Sequence, residues 1–180
     1  MSSIQDRCDW LREHLTYEVL MVRHAYEQLR ATPKTVRDQL AWNASFAAFS
    51  LYARNLYSFL TNKVTSGNLE AADYDRPAAD GKLLEGIMAN LNQQVFHTGK
   101  QRRNDDRKAG FEKATKVYAW IDANLKNFVD GLREPYRSAW DRDGADPSKV
   151  DAEAPLDDSK IATDDPASSL PFTSGVTKIP

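Results

Sequence analysis

The side chains best equipped for chemistry in this chain are His97 and the cations that follow it. His97 precedes Thr98-Gly99-Lys100-Gln101-Arg102-Arg103, and Arg107 and Lys108 come shortly after. An imidazole beside guanidinium and ammonium groups can act as general acid or base while the cations hold a phosphate. A histidine at a helix end can instead satisfy exposed carbonyls, where the helix dipole favours its cationic form. The basic cluster is also open to two readings. Free N–H groups at a helix start would add to an anion site, or Asp105 and Asp106 would cap a solvated helix start.

Arg54 is the second candidate. No charged residue occurs from Gln39 to Ala53. Trp42, Phe46, Phe49, Ala53, Leu56 and Leu60 step by four and three along one helical face, and Leu40, Ala44, Ala47 and Leu51 line another. A helix apolar on most sides is expected in the middle of a bundle. Asn43, Ser50, Arg54, Ser58 and Thr61 cut one polar line into it. An arginine there needs either a water-filled cleft or a buried partner that fixes helix register.

Several chemistries are excluded by absence. There is no Glu-x-x-His for a di-iron bundle, no His-Glu-x-x-His and no glycine-rich phosphate loop. The single Cys8 removes an internal disulfide and any multi-cysteine zinc site. His14 and Glu18 share a face of the first helix, but two ligands do not make a metal site. No metal and no cofactor is expected.

Four helical segments must position these residues, and no segment alternates like a strand. The first spans about 3–30, with the stripe Leu11, Leu15, Val19, Val22, Tyr26, Leu29. Thr32-Pro33 signals the start of the second, which runs to about Lys63. The third starts at Asp80-Gly81, carries Leu84, Ile87, Met88, Leu91 and Val95 on one face, and ends near His97. Asn104 or Asp105 caps the fourth, whose stripe is Phe111, Ala114, Tyr118, Ile121, Leu125, Phe128, Leu132, and Pro135 ends or kinks it. Leu69 and Tyr74 are expected to anchor a structured loop between the second and third. The two-residue link between the first pair forces antiparallel neighbours. The expected fold is an all-α antiparallel four-helix bundle over residues 1–140.

Residues 141–180 read as a disordered acidic tail, rich in Asp, Ser, Ala and Pro. They hold nine Asp/Glu and four Lys/Arg, a net −5, which leaves +3 of the chain's −2 for residues 1–140. The N-terminus lacks a basic region followed by an apolar run, so no signal peptide is expected. The apolar run of the second helix is too short to span a membrane. A cytoplasmic protein with no membrane partner is expected.

Tyr52-Ala53-Arg54-Asn55-Leu56, followed by Leu91-Asn92-Gln93-Gln94-Val95-Phe96-His97 and then Arg102, resembles a group of uncharacterised bacterial helical proteins. Those pair an Arg-Asn-Leu helix with an Asn-x-Gln-Val-x-His-x4-Arg segment. The resemblance covers roughly 40–132. The architecture is also similar to the HEPN superfamily, small helical bundles of toxin–antitoxin and defence systems. Many of these are metal-independent ribonucleases, and others bind nucleotides or partners. Their motif sets an arginine four to six residues before the histidine. Here the order is reversed, with Arg102 after His97.

The HEPN-like resemblance implies an endoribonuclease. His97 would take the proton from a ribose 2′-hydroxyl, Arg54 and Arg102 would stabilise the phosphate charge, and Lys100, Arg103 and Lys108 would grip RNA. The alternative is a non-catalytic module in which Arg54 and His97 form a buried polar network. A leftover apolar face, with Val117, Trp120 and Tyr17 as candidates, would then make a homodimer or bind an antitoxin-like protein.

Overall fold

A computed structural model of the chain describes residues 2–63, 68–96, 110–142 and 144–149, and for 92–96 the backbone alone. All of its regular elements are helical, with no strand among the described residues. In order they are α1 (Ile4–Trp10), a π-helical turn (Leu11–Leu15), α2 (Thr16–Leu29), α3 (Val36–Leu60), α4 (Glu85–Phe96), α5 (Phe111–Asp130) and α6 (Tyr136–Ala139). Two 3-10 turns, Ala71–Tyr74 and Lys82–Leu84, join α3 to α4.

The first helix therefore exists as expected but is not regular. Thr16 donates its hydroxyl to the Leu11 carbonyl at 3.0 Å, inside a wide turn that carries an extra residue. Leu11, Leu15, Val19, Val22 and Leu29 are all buried. Tyr26, the remaining member of that stripe, is half-buried and lies flat on Tyr118 of α5 with ring centroids 4.0 Å apart.

The expected start of the second helix at Thr32-Pro33 is corrected. Thr35 is the N-cap and Asp38 completes a capping box. Asp38 N–H donates to Thr35 Oγ1 at 3.1 Å, and Thr35 N–H donates to Asp38 Oδ2 at 3.0 Å. Two backbone donors satisfied reciprocally outweigh the fixed φ that Pro33 offers at a first helical position. The fourth helix is corrected likewise. Its cap is Gly110, in extended backbone, and the expected caps Asn104 and Asp105 lie outside the described residues. It stops at Asp130, five residues before Pro135. Arg76 terminates it, donating to the carbonyls of Gly131 and Asn127 at 3.2 Å each, where the dipole favours a cation.

The core is the shared face of α2, α3 and α5, with α4 laid against α3. Phe49, Ala53 and Leu56 of α3 meet Val19 and Val22 of α2 and Val117, Ile121 and Leu125 of α5 in one cluster. Tyr74 is buried among Phe59, Phe128 and Tyr136, and Leu69 packs at the core's edge, so the loop is anchored where the sequence indicates. Gly81 brings the start of α4 close. A Cβ there would stand 2.5 Å from the Tyr57 hydroxyl, which itself donates to Gly81 O at 3.1 Å.

Residues 144–149, expected in the tail, pack on the body. Ala145 is buried and its carbonyl accepts from Arg23 at 2.8 Å. Residues 151–180 lie outside the described part. No described helix is long and apolar enough to cross a membrane.

Candidate functional site

Arg54 is exposed, which removes the reading of a buried, register-fixing arginine. The polar line of α3 is not one surface. Ser50 and Thr61 are buried and turn their hydroxyls back onto the carbonyls of Phe46 (2.8 Å) and Tyr57 (2.7 Å). Arg54 and Ser58, with Asn55, instead line a cleft of about 500 Å3.

That cleft is made by three elements. Trp10, at the end of α1, and Glu18, on α2, come from beyond the two ends of the π turn. Arg54, Asn55, Ser58 and Phe59 come from α3, with Lys63 just past its end. Asn68 and Leu69 of the following loop close it. Trp10 stacks on Phe59 with centroids 5.1 Å apart, giving the cleft an aromatic floor. Next to it, the hydroxyls of Tyr17 and Tyr52 approach to 3.3 Å.

Glu18 is the chemically distinctive member. Asn55 Nδ2 donates to its Oε1 at 3.1 Å. Among the described residues no ion pair reaches this half-buried carboxylate. Loss of water raises its pKa above the ordinary carboxylate value, and the bond from Asn55 only partly opposes that. Its charge also contributes to the Tyr52 phenol, which the hydrogen bond to Tyr17 and burial push up to about 12. Lys63 is held cationic by Glu85, whose Oε1 lies 2.7 Å from its Nζ.

A second cleft, of about 580 Å3, lies between Arg23, Asp122, Lys126, Asp130 and Trp140. Four of its charges are paired among themselves. Arg23 reaches Asp122 at 3.3 Å as well as Ala145 O, and Lys126 pairs with Asp130. The cleft around Glu18 is the smaller of the two, and among the described residues it holds a half-buried carboxylate that no ion pair reaches, so it is the better candidate site.

The outward side of α3 continues from this cleft to the N-terminus of that helix. There the expectation of a helix covered on all sides fails. Val36 is 79% exposed and Leu40 65%, Ala44 is exposed, and Ala47 and Leu51 are half-buried. The off-stripe candidates divide. Val117 is buried, and Trp120 is half-buried with its indole donating to Asp80 O at 3.2 Å, so neither offers a docking face. Tyr17 is half exposed.

His97, Lys100, Arg102, Arg103 and Lys108 lie outside the described residues, so of the sequence-predicted site only Arg54 is placed. Among the described residues no three His, Cys, Asp or Glu side chains gather as metal ligands. Sequence reasoning missed Glu18 as a site residue. The available signal was its position eight residues after Trp10, beside the aromatic Tyr17. Compared with known protein families, curated proteins and solved structures, the chain matches none.

Proposed function

We propose that the protein is a non-catalytic interaction module on an antiparallel four-helix, HEPN-like bundle, which pairs with a second copy of itself along the outward face of α3. The observation that carries this reading is the exposure of Val36 and Leu40 on a stripe continued by Ala44, Ala47 and Leu51. Full burial of a valine or leucine side chain returns about 1.5–3 kcal/mol. A two-fold antiparallel pairing centred near Asn43 and Ala44 sets Leu40 of one copy against Ala47 of the other, and Val36 against Leu51. Large then meets small at Leu40 and Ala47, and two branched side chains meet at Val36 and Leu51, along a self-complementary surface.

One helix face is narrower than the roughly 1,600 Å2 that a standard interface buries, so the association is weak and follows concentration. Sedimentation velocity over a concentration series is expected to show a shift toward dimer that survives His97→Ala and is lost in Leu40→Glu. A wild type that stays monomeric at the highest concentration overturns the reading.

The exposure of Arg54 at a cleft supports a second reading, the metal-independent ribonuclease. That reading requires Arg54, His97 and Arg102 to converge on one phosphate, with Lys100, Arg103 and Lys108 along the RNA. Cleavage of mixed RNA in EDTA, lost in a His97→Ala protein with an unchanged melting curve, is its expected signature. No cleavage by the wild type counts against it.

A further inference from the structure

We infer that a second copy of the chain completes the cleft at Glu18, with Arg37 of each copy supplying the counter-charge to Glu18 of the other. This rests on the self-association along α3 and names the polar contacts that hold it in register.

The argument starts from two groups that are poorly placed in a single chain. Glu18 is a carboxylate half removed from water, with one hydrogen bond, from Asn55 at 3.1 Å, and no ion pair among the described residues. Burial without a counter-charge is unfavourable, and a carboxylate that takes one bond on Oε1 keeps lone pairs for further donors. Arg37 is the second residue of α3. The positive end of the helix dipole disfavours a cation there. Arg37 is exposed, and among the described residues no ion pair reaches it either. Bringing the two together relieves both.

Within one chain they cannot meet. Arg37 and Asn55, which holds Glu18, stand about 27 Å apart along α3. That separation is about five whole turns, so both lie on one line of the helix. A two-fold axis at right angles to α3 reverses its direction and keeps that line on the same side of the contact. In the pairing centred near Asn43 and Ala44, Arg37 of one copy stands level with Ser50 of the other, about 7.5 Å short of Asn55. Helical side chains lean toward their own N-terminus. In the antiparallel copy that is the direction of Asn55 and Glu18. The guanidinium closes the remaining gap and offers its planar fork to the carboxylate. Residues flanking an apolar seam form such cross-helix pairs in coiled coils, where they set partner choice and orientation. The pairing asks nothing of Arg54, which lies about 100° round the helix from Asn55.

The test is a mixing experiment on the full chain, read by sedimentation velocity over a concentration series. Arg37→Glu sets two carboxylates together at both ends of the contact, and Glu18→Arg sets two guanidiniums together. Each variant alone is expected to self-associate at least about tenfold more weakly than the wild type. An equal mixture of the two is expected to regain the wild-type affinity, because both pairs then join opposite charges. If Glu18→Arg melts below the wild type, Glu18→Gln and Arg37→Gln replace the reversals. Their double variant is then expected to associate no more weakly than either single one, and a multiplied loss overturns the pairing. A wild-type dimer that is lost in Leu40→Glu but unchanged in Arg37→Glu, or a mixture no stronger than its components, overturns the pairing and leaves the self-association standing. A wild type that stays monomeric overturns both.

Discussion

At the scale of single residues, Glu18 carries a stability cost. Its folded pKa lies above the ordinary 4.5, so the folded chain holds that proton more tightly than the unfolded chain. As pH rises from near 4.5 through the raised value, ionisation therefore destabilises the fold. Glu18→Gln is expected to raise the melting temperature at neutral pH and to flatten the fall in stability across that window, as thermal melts at pH 4 to 8 would show. Asp38 has the opposite sign. The N–H of Lys34 first, then the side chain and N–H of Thr35, hold its pKa down, so its contribution is present above 3.8 and lost as pH falls through the lower folded value. Arg54 was legible in the sequence because it is the first charge after an apolar run. Glu18 was not, because the first helix is dense in acids and bases and periodicity does not say which of them the second helix will shelter. His97 and the cations after it were legible as types, but what they face lies outside the described residues.

At the scale of elements, α3 does two jobs along its length. Its middle and C-terminal turns bury Phe46, Phe49, Ala53, Leu56 and Leu60, and its first turns stand clear of the core. The stripe from Phe46 onward was legible from spacing, since three and four steps return to one face. The bare segment was not, because an apolar residue awaiting a partner and one already packed are identical in sequence. Leu40→Glu is thus expected to change stability by no more than about 0.5 kcal/mol, as for surface substitutions generally. Chemical denaturation of wild type and variant checks this. Thr35→Ala, which removes half of the capping box, is expected to cost about 1 kcal/mol in the same measurement. Element boundaries were less legible than element existence. Thr32-Pro33 and Thr35-x-x-Asp38 are both start signals three residues apart, and only the reciprocal hydrogen bonds decide between them.

At the scale of the whole molecule, stability rests on the place where α2, α3 and α5 share one cluster. Phe49 is fully enclosed there. Phe49→Ala is expected to cost about 3–5 kcal/mol, seen as a lower denaturation midpoint with an unchanged slope. The all-helical class followed directly from sequence periodicity. The position of the last described segment did not. Residues 144–149 have a tail's composition, yet they stay on the body because Arg23 reaches Ala145 O across the chain. Such a long-range backbone contact leaves no periodic trace.

The π turn has a geometric effect on the cleft. Along a regular helix, residues eight apart differ in direction by about 80°. A turn that absorbs one extra residue reduces the separation of Trp10 and Glu18 to about seven ordinary steps, or roughly 20° from alignment. The aromatic floor and the acid then face the same opening. The buried trio Leu11, Leu15 and Val19, spaced four and four, is brought into line by the same extra residue. A chain shortened by one residue within Leu11–Leu15 would swing Trp10 away from Phe59 by about 100°. Its helices would survive with a pocket that had lost its base, so the cleft is set by the count of residues in one turn as much as by their identity.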